Sequence, residues 1–156
     1  MAVKRIPDGF HRVTPHLVVR DAATMIEFYK KAFGAVERGR APGPDGKSIM
    51  HAEIRIGDSH VMLSDEHPEQ GHLSPTSRGG ATGSLMLYLP DVDAVFARAI
   101  AAGATAQSEP ADQFWGDRMG SVRDPFGHLW SLATHTEDVP PEEMERRMAE
   151  AFQQPA

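Results

Sequence analysis

Residues 14–34 read TPHLVVRDAATMIEFYKKAFG, and residues 83–103 read GSLMLYLPDVDAVFARAIAAG. Each stretch begins with alternating apolar positions, passes an aspartate, takes up a helical period and stops at a glycine. Those residue types in that order predict a strand, an N-cap, a helix and a left-handed stop. The helical stripes are Met25, Phe28, Tyr29 and Ala32 in the first stretch and Val92, Val95, Phe96 and Ala99 in the second. Asp21 is matched by Asp91 and Gly34 by Gly103, so the chain reads as a duplication.

Outward from the first stretch come Val36–Ala41, a PGPDG turn at 42–46 and the alternating run 48–56. The two-residue turn Gly57–Asp58 then leads into residues 59–64. These three strands complete a βαβββ unit. Beyond the second stretch, strands are predicted around residues 104–115, 117–123 and 128–134. Residues 65–82 (DEHPEQGHLSPTSRGGAT) are rich in Pro, Gly, Ser and His, show no period and read as a surface linker. The predicted fold class is α+β. One domain over residues 1–138 holds tandem modules at about 10–66 and 82–135, joined by a linker at 67–81. Each helix covers one face of its sheet, and the other faces curve into one concave mixed sheet. Residues 139–156 form a C-terminal helix and tail, with Pro and acidic residues early and basic ones later. Its stripe of Met144, Met148, Ala151 and Phe152 has to bury on its own sheet or across a dimer interface, and a homodimer is expected.

A chain of 156 residues with 40% hydrophobic content can bury a core without staples. It contains no cysteine, which excludes disulfides, thiolate metal sites and cysteine nucleophiles. The opening MAVKRIPDGF has no apolar segment of signal type, and no stretch approaches the ~20 apolar residues of a membrane span. A cytoplasmic protein with no membrane partner is the expectation. Net charge is −6 with 16 scattered Lys and Arg, so the cationic patch that nucleic acid requires is missing.

Three segments, PHLVVRDAATMIEFYKKAFGA (15–35), DVDAVFARAIAAGA (91–104) and FWGDRMGSVRDPFGHLWSLATH (114–135), closely resemble the glyoxalase, bleomycin-resistance and dioxygenase superfamily, whose fold is called vicinal oxygen chelate. The resemblance spans about residues 10–138 and is greatest to the PhnB-like branch, where a DPFGH-x-W-S-x-ATH string precedes an acidic, Pro-started helix. It implies a divalent metal held by His, Gln or Glu on the first and last strands of each module. The matching positions here are Thr14, Ser84 and Ser131. Neutral hydroxyls are poor ligands for Zn²⁺, Ni²⁺ or Fe²⁺, so no cofactor is expected at the standard positions. A displaced divalent-metal set of His16, His51 and Glu53 is the alternative.

Strand parity sends Val13, Leu17 and Val19 toward the helix and Thr14, His16 and Val18 into the cleft. It also assigns Met62, Met86 and Tyr88 to the cleft, either as an adaptable, moderately apolar floor or as filling between the two half-sheets, and Ser64 is a further ligand-binding candidate. Trp115 is read either as a stacking surface for a flat ligand or as a plug on the sheet edge. Arg118 is read either as a fork for a carboxylate or phosphate or as an ion-pair partner of Asp117 or Asp124. Asp124-Pro125-Phe126-Gly127 is a turn, and Trp130 faces the helices as core. The expected function is metal-free binding of a flat small organic molecule. The alternative is a metal-dependent lyase, isomerase, thiol transferase or dioxygenase with non-standard ligands. A metal-free enzyme with His16 or His51 as general base is a third reading. No glycine-rich loop for S-adenosylmethionine is present.

Overall fold

The computed structural model describes residues 3–153. The first module runs β1 (His16–Val19), α1 (Ala22–Phe33), β2 (Val36–Pro42), β3 (Ile49–Ile56) and β4 (Ser59–Asp65). The second runs β5 (Ser84–Tyr88), α3 (Val92–Ala102), β6 (Thr105–Asp112), β7 (Asp117–Arg123) and β8 (Leu129–His135). Between them, a 3-10 turn at Pro68–Gln70 and the single helical turn α2 (Pro75–Arg78) give the linker local order. The helix α4 (Pro141–Gln153) closes the chain.

Asp21 caps α1 by accepting from the Thr24 amide at 2.9 Å, and Asp91 caps α3 by accepting from the Ala94 amide at 3.0 Å. Gly34 and Gly103 end the two helices at φ 67° and 117°, a conformation that L side chains resist. The sheets repeat one topology, β1-β4-β3-β2 and β5-β8-β7-β6, each with its first strand parallel to its last. The duplication is thus present in the register as well as in the sequence.

The α+β class and the tandem βαβββ modules are as expected, and among the described residues the strands form two four-stranded sheets with no pairing between the modules. Helices α1 and α3 pack on each other and against the inner faces of both sheets. Leu17, Val19, Ala52, Ile54 and Leu63 of sheet 1 share one apolar core with Val122, Trp130 and Leu132 of sheet 2. Trp130 is buried, as its parity predicts, and its ring centroid lies 5.3 Å from that of Tyr29 and 4.9 Å from that of Phe33. The buried Tyr29 hydroxyl donates to Asp124 Oδ2 at 2.6 Å, tying α1 to the second module. His128 Nε2 lies 3.2 Å from the Val18 carbonyl oxygen, a second inter-module bond. One face of each sheet is used up in this core, and the other face is open.

Val13 departs from its predicted inward orientation. It is 83% exposed, because β1 begins only at His16 and Pro15 separates Val13 from the alternation. The apolar stripe of α4 also stays unburied on its own sheet, with Phe152 at 79% exposure. The helix is tethered through Arg147, which donates to Glu137 at 2.8 Å and is steadied within α4 by Glu143 at 2.7 Å.

Candidate functional site

The open face of sheet 1 carries His16 and Val18 on β1, with Thr14 just before it. It also carries His51 and Glu53 on β3 and His60, Met62 and Ser64 on β4. Register places Met62 beside both His16 and Glu53, and Ser64 beside Val18. The His16 and His51 rings meet edge to face with centroids 6.2 Å apart, and His51 Nε2 lies 3.5 Å from Glu53 Oε1. Burial first, and then the neighbouring His51 and His72, push the His16 imidazole below its usual range. Ser64 is buried, and among the described residues its hydroxyl has no hydrogen-bond partner. Phe10 stacks on His60 at 4.1 Å, so the residues before β1 cover part of this face. A hollow of about 500 Å³ lies between Ile6, Pro7 and Phe10 on one side and Thr14, Glu53 and Met62 on the other.

On sheet 2 the open face carries Ser84, Met86 and Tyr88 of β5, Ser131, Ala133 and His135 of β8, and Asp117 and Met119 of β7. Met86 pairs with Ser131 and Tyr88 with Ala133. Tyr88 is 63% exposed and Met86 44%, large values for apolar or aromatic side chains at the centre of a strand.

The divalent metal implied by the superfamily does not fit the residues present. Its three matching positions, Thr14, Ser84 and Ser131, offer only hydroxyls. Among the described residues, no group of three His, Cys, Asp or Glu side chains converges on a point from which an ion could be held. His16, His51 and Glu53 are brought to one face without forming such a group.

Arg118 does not reach the cleft. It shares the inner parity of Gly120 and Val122, and its guanidinium forks onto Asp93 at 2.7 and 2.8 Å and reaches Asp112 at 3.1 Å. The predicted role as a free anion fork is therefore corrected, and so are its predicted partners, Asp117 and Asp124. Asp93 in the first turn of α3 supplies the nearer carboxylate.

Asp117 itself is the residue the sequence reading missed. Its carboxylate is 3% exposed and accepts from Tyr88 Oη at 3.1 Å, Trp115 Nε1 at 3.0 Å and His135 Nδ1 at 2.8 Å. Burial pushes this carboxyl up, and the hydrogen bonds from His135, Tyr88 and Trp115 outweigh it, holding it below its ordinary value. On its other side His135 Nε2 meets Asp138 Oδ1 at 3.0 Å. Asp138 and then Asp117 hold the imidazole above its usual range. Trp115 sits at the rim on a turn whose Gly116, at φ 93°, lies under the backbone of residue 137. A Cβ there would meet the Glu137 carbonyl oxygen at 2.1 Å. Counting outward from the DPFG turn pairs Asp117 with His135 across β7 and β8, so a signal for the cluster existed in the sequence.

A profile of the Glyoxalase/Bleomycin resistance protein/Dioxygenase superfamily matches residues 9–132. The chain belongs to that superfamily. The protein Mb0911c of Mycobacterium bovis is 50% identical over 140 residues, covering 88% of this chain and 91% of that protein. At5g48480 of Arabidopsis thaliana is 31% identical over 121 residues, covering 74% of this chain and 70% of that protein. The crystal structure of TioX from Micromonospora sp. ML1 superposes with a TM-score of 0.63 at 29% identity, covering 80% of this chain and 98% of TioX. The PhnB protein from Bacillus cereus, at 17% identity and a TM-score of 0.61, shares the fold. Helix α4 lies beyond the residues that the superfamily profile matches.

Proposed function

We propose that this protein binds a flat small organic molecule, without a metal, in a cleft completed by a second copy of the chain. The open face of sheet 1 in one copy would oppose the open face of sheet 2 in the other. The observation that carries this reading is the open floor of sheet 2. Met86 and Tyr88 stand exposed beside Ser84 and Ser131, where the superfamily's metal chemistry would need ligands of another kind. Thioethers and a phenol offer an adaptable, polarizable surface to a planar ligand. Burying such a face against a second chain also removes apolar area from water, in the way stable interfaces of about 800 Å² per partner do.

The test is metal content of protein purified without an affinity tag, with Mn, Fe, Co, Ni, Cu and Zn quantified per chain. Tryptophan-quenching titrations with planar aromatic compounds accompany it. Metal far below one ion per chain together with saturable quenching supports the reading. Near-stoichiometric metal that is lost in His16→Ala or His51→Ala overturns it. That result would favour the second reading, a metal-dependent enzyme built on His16, His51 and Glu53, for which the proximity of the His16 and His51 rings is the motivating observation.

A further inference from the structure

We propose that Asp117 and His135 form a dyad that presents His135 Nε2 on the open face of sheet 2 as the contact for a carboxylate of the ligand. The expected ligand is thereby narrowed to a flat aromatic acid. The inference rests on the reading that this face lines the ligand cleft.

The two nitrogens of His135 differ in what holds them. Nδ1 is fixed at 2.8 Å by the nearly buried Asp117 carboxylate, whose other oxygen is taken up by Tyr88 Oη and Trp115 Nε1. A carboxylate satisfied in this way orients the ring and favours the imidazolium, the logic by which buried aspartates set histidines elsewhere. Among the described residues Nε2 faces Asp138 Oδ1 alone, at 3.0 Å, and the Asp138 side chain is fully exposed. Asp138 therefore shows that this side of the ring accepts a carboxylate, and being solvated and held by no second bond, it is the partner an incoming carboxylate can displace. The charged groups around the ring are Asp117 from β7 and Asp138 from the segment after β8, with the phenol of Tyr88 from β5. Glu137 is neutralised by Arg147. The incoming carboxylate takes the place at Nε2 while the exposed Asp138 side chain turns into solvent, where its charge is screened, and the ligand's ring gains Trp115 and Tyr88 as flat neighbours.

The experiment uses 2-naphthoate and its neutral analogue 2-acetylnaphthalene, titrated into the full chain at pH 6.5 and pH 9. Affinity is followed by tryptophan fluorescence, and the His135 Cε1–H resonance is followed by NMR. Naphthoate is expected to bind about tenfold more tightly than the ketone at pH 6.5, the size of one hydrogen bond to a charged group. That preference should vanish in His135→Gln, should weaken between pH 6.5 and pH 9 as far as the His135 Cε1–H resonance shows the imidazole losing its proton, and should grow in Asp138→Asn, where the internal competitor is gone. Without ligand, Asp138→Asn should lower the pH at which His135 titrates. Equal binding of both probes by the unaltered protein, or a preference that survives His135→Gln, overturns the carboxylate contact and leaves the flat-ligand reading standing. Failure of both probes to bind removes the flat-ligand reading and this inference with it.

Discussion

Asp124 shows how much one side chain in a turn can hold. Its Oδ1 accepts the amides of Phe126 and His128 at 3.0 and 2.9 Å, closing the turn. Its Oδ2 accepts Tyr29 Oη at 2.6 Å and Trp130 Nε1 at 3.0 Å, inside the core between the modules. Removing the carboxylate strands two buried donors at once. Asp124→Ala should cost about 3–5 kcal/mol in urea unfolding, and Asp124→Asn less, since the amide oxygen still accepts. Arg118 makes the opposite case. Its partners Asp93 and Asp112 are more than half exposed, so Arg118→Ala should lose no more than about 1 kcal/mol. The same variant should leave the affinity for any cleft ligand unchanged, and a large loss of affinity in a titration would return Arg118 to the site.

Capping dominates at the scale of elements. Asp21→Ala and Asp91→Ala should each lower stability by about 1 kcal/mol, measured by chemical denaturation, since each leaves an amide of the first helical turn without its acceptor. The segment joining the modules is held by a different carboxylate. Hydrogen bonds from Ser74 and Ser77, with Arg20 nearby, hold Glu66 down to about 2. A depressed acid contributes stability that is present above the ordinary glutamate range and is lost as pH falls toward 2. The stability gap between the unaltered protein and Glu66→Gln should therefore be open at pH 7 and close below about pH 4.5, as read by urea midpoints across that range. His135 works the other way. Its raised value means its contribution is full below about pH 6.5 and fades as pH rises through the folded value, so His135→Gln should matter most under mildly acidic conditions.

For the molecule as a whole, the question is what covers the two open faces. Sedimentation should find a dimer if the cleft is completed by a second copy. A lysine in place of Met86, at the centre of the exposed floor, should shift the mass toward one chain without unfolding it. A monomer at micromolar concentration in the unaltered protein would remove the shared cleft. Much of the architecture was legible in advance from particular residues. Asp21 and Asp91 predicted the caps, the odd–even alternation placed Leu17, Val19 and Trp130 in the core, and Gly57–Asp58 predicted the hairpin that pairs Ile56 with Ser59. The site was less legible. Parity assigned Thr14, His16, Met62, Met86 and Tyr88 to the open faces, and the resemblance supplied Ser84 and Ser131. Asp117 is absent from the expected site, and Arg118 shares the inner parity of Val122, which the reading of its guanidinium as an anion fork leaves out of account.

The sequence by itself determined everything that depends on neighbours along the chain. Helical and strand periods, aspartate caps, glycine stops and the DPFG turn each follow from sterics and hydrogen bonding within a few residues. Only the tertiary structure decided that two modules meet through their helices instead of through one continuous sheet. The pairing of Asp117 with His135 can be counted from the DPFG turn, but only the tertiary structure brought Tyr88 of β5 to them. Those outcomes depend on which apolar face finds which partner and on the register between strands distant in sequence, and no local pattern encodes either.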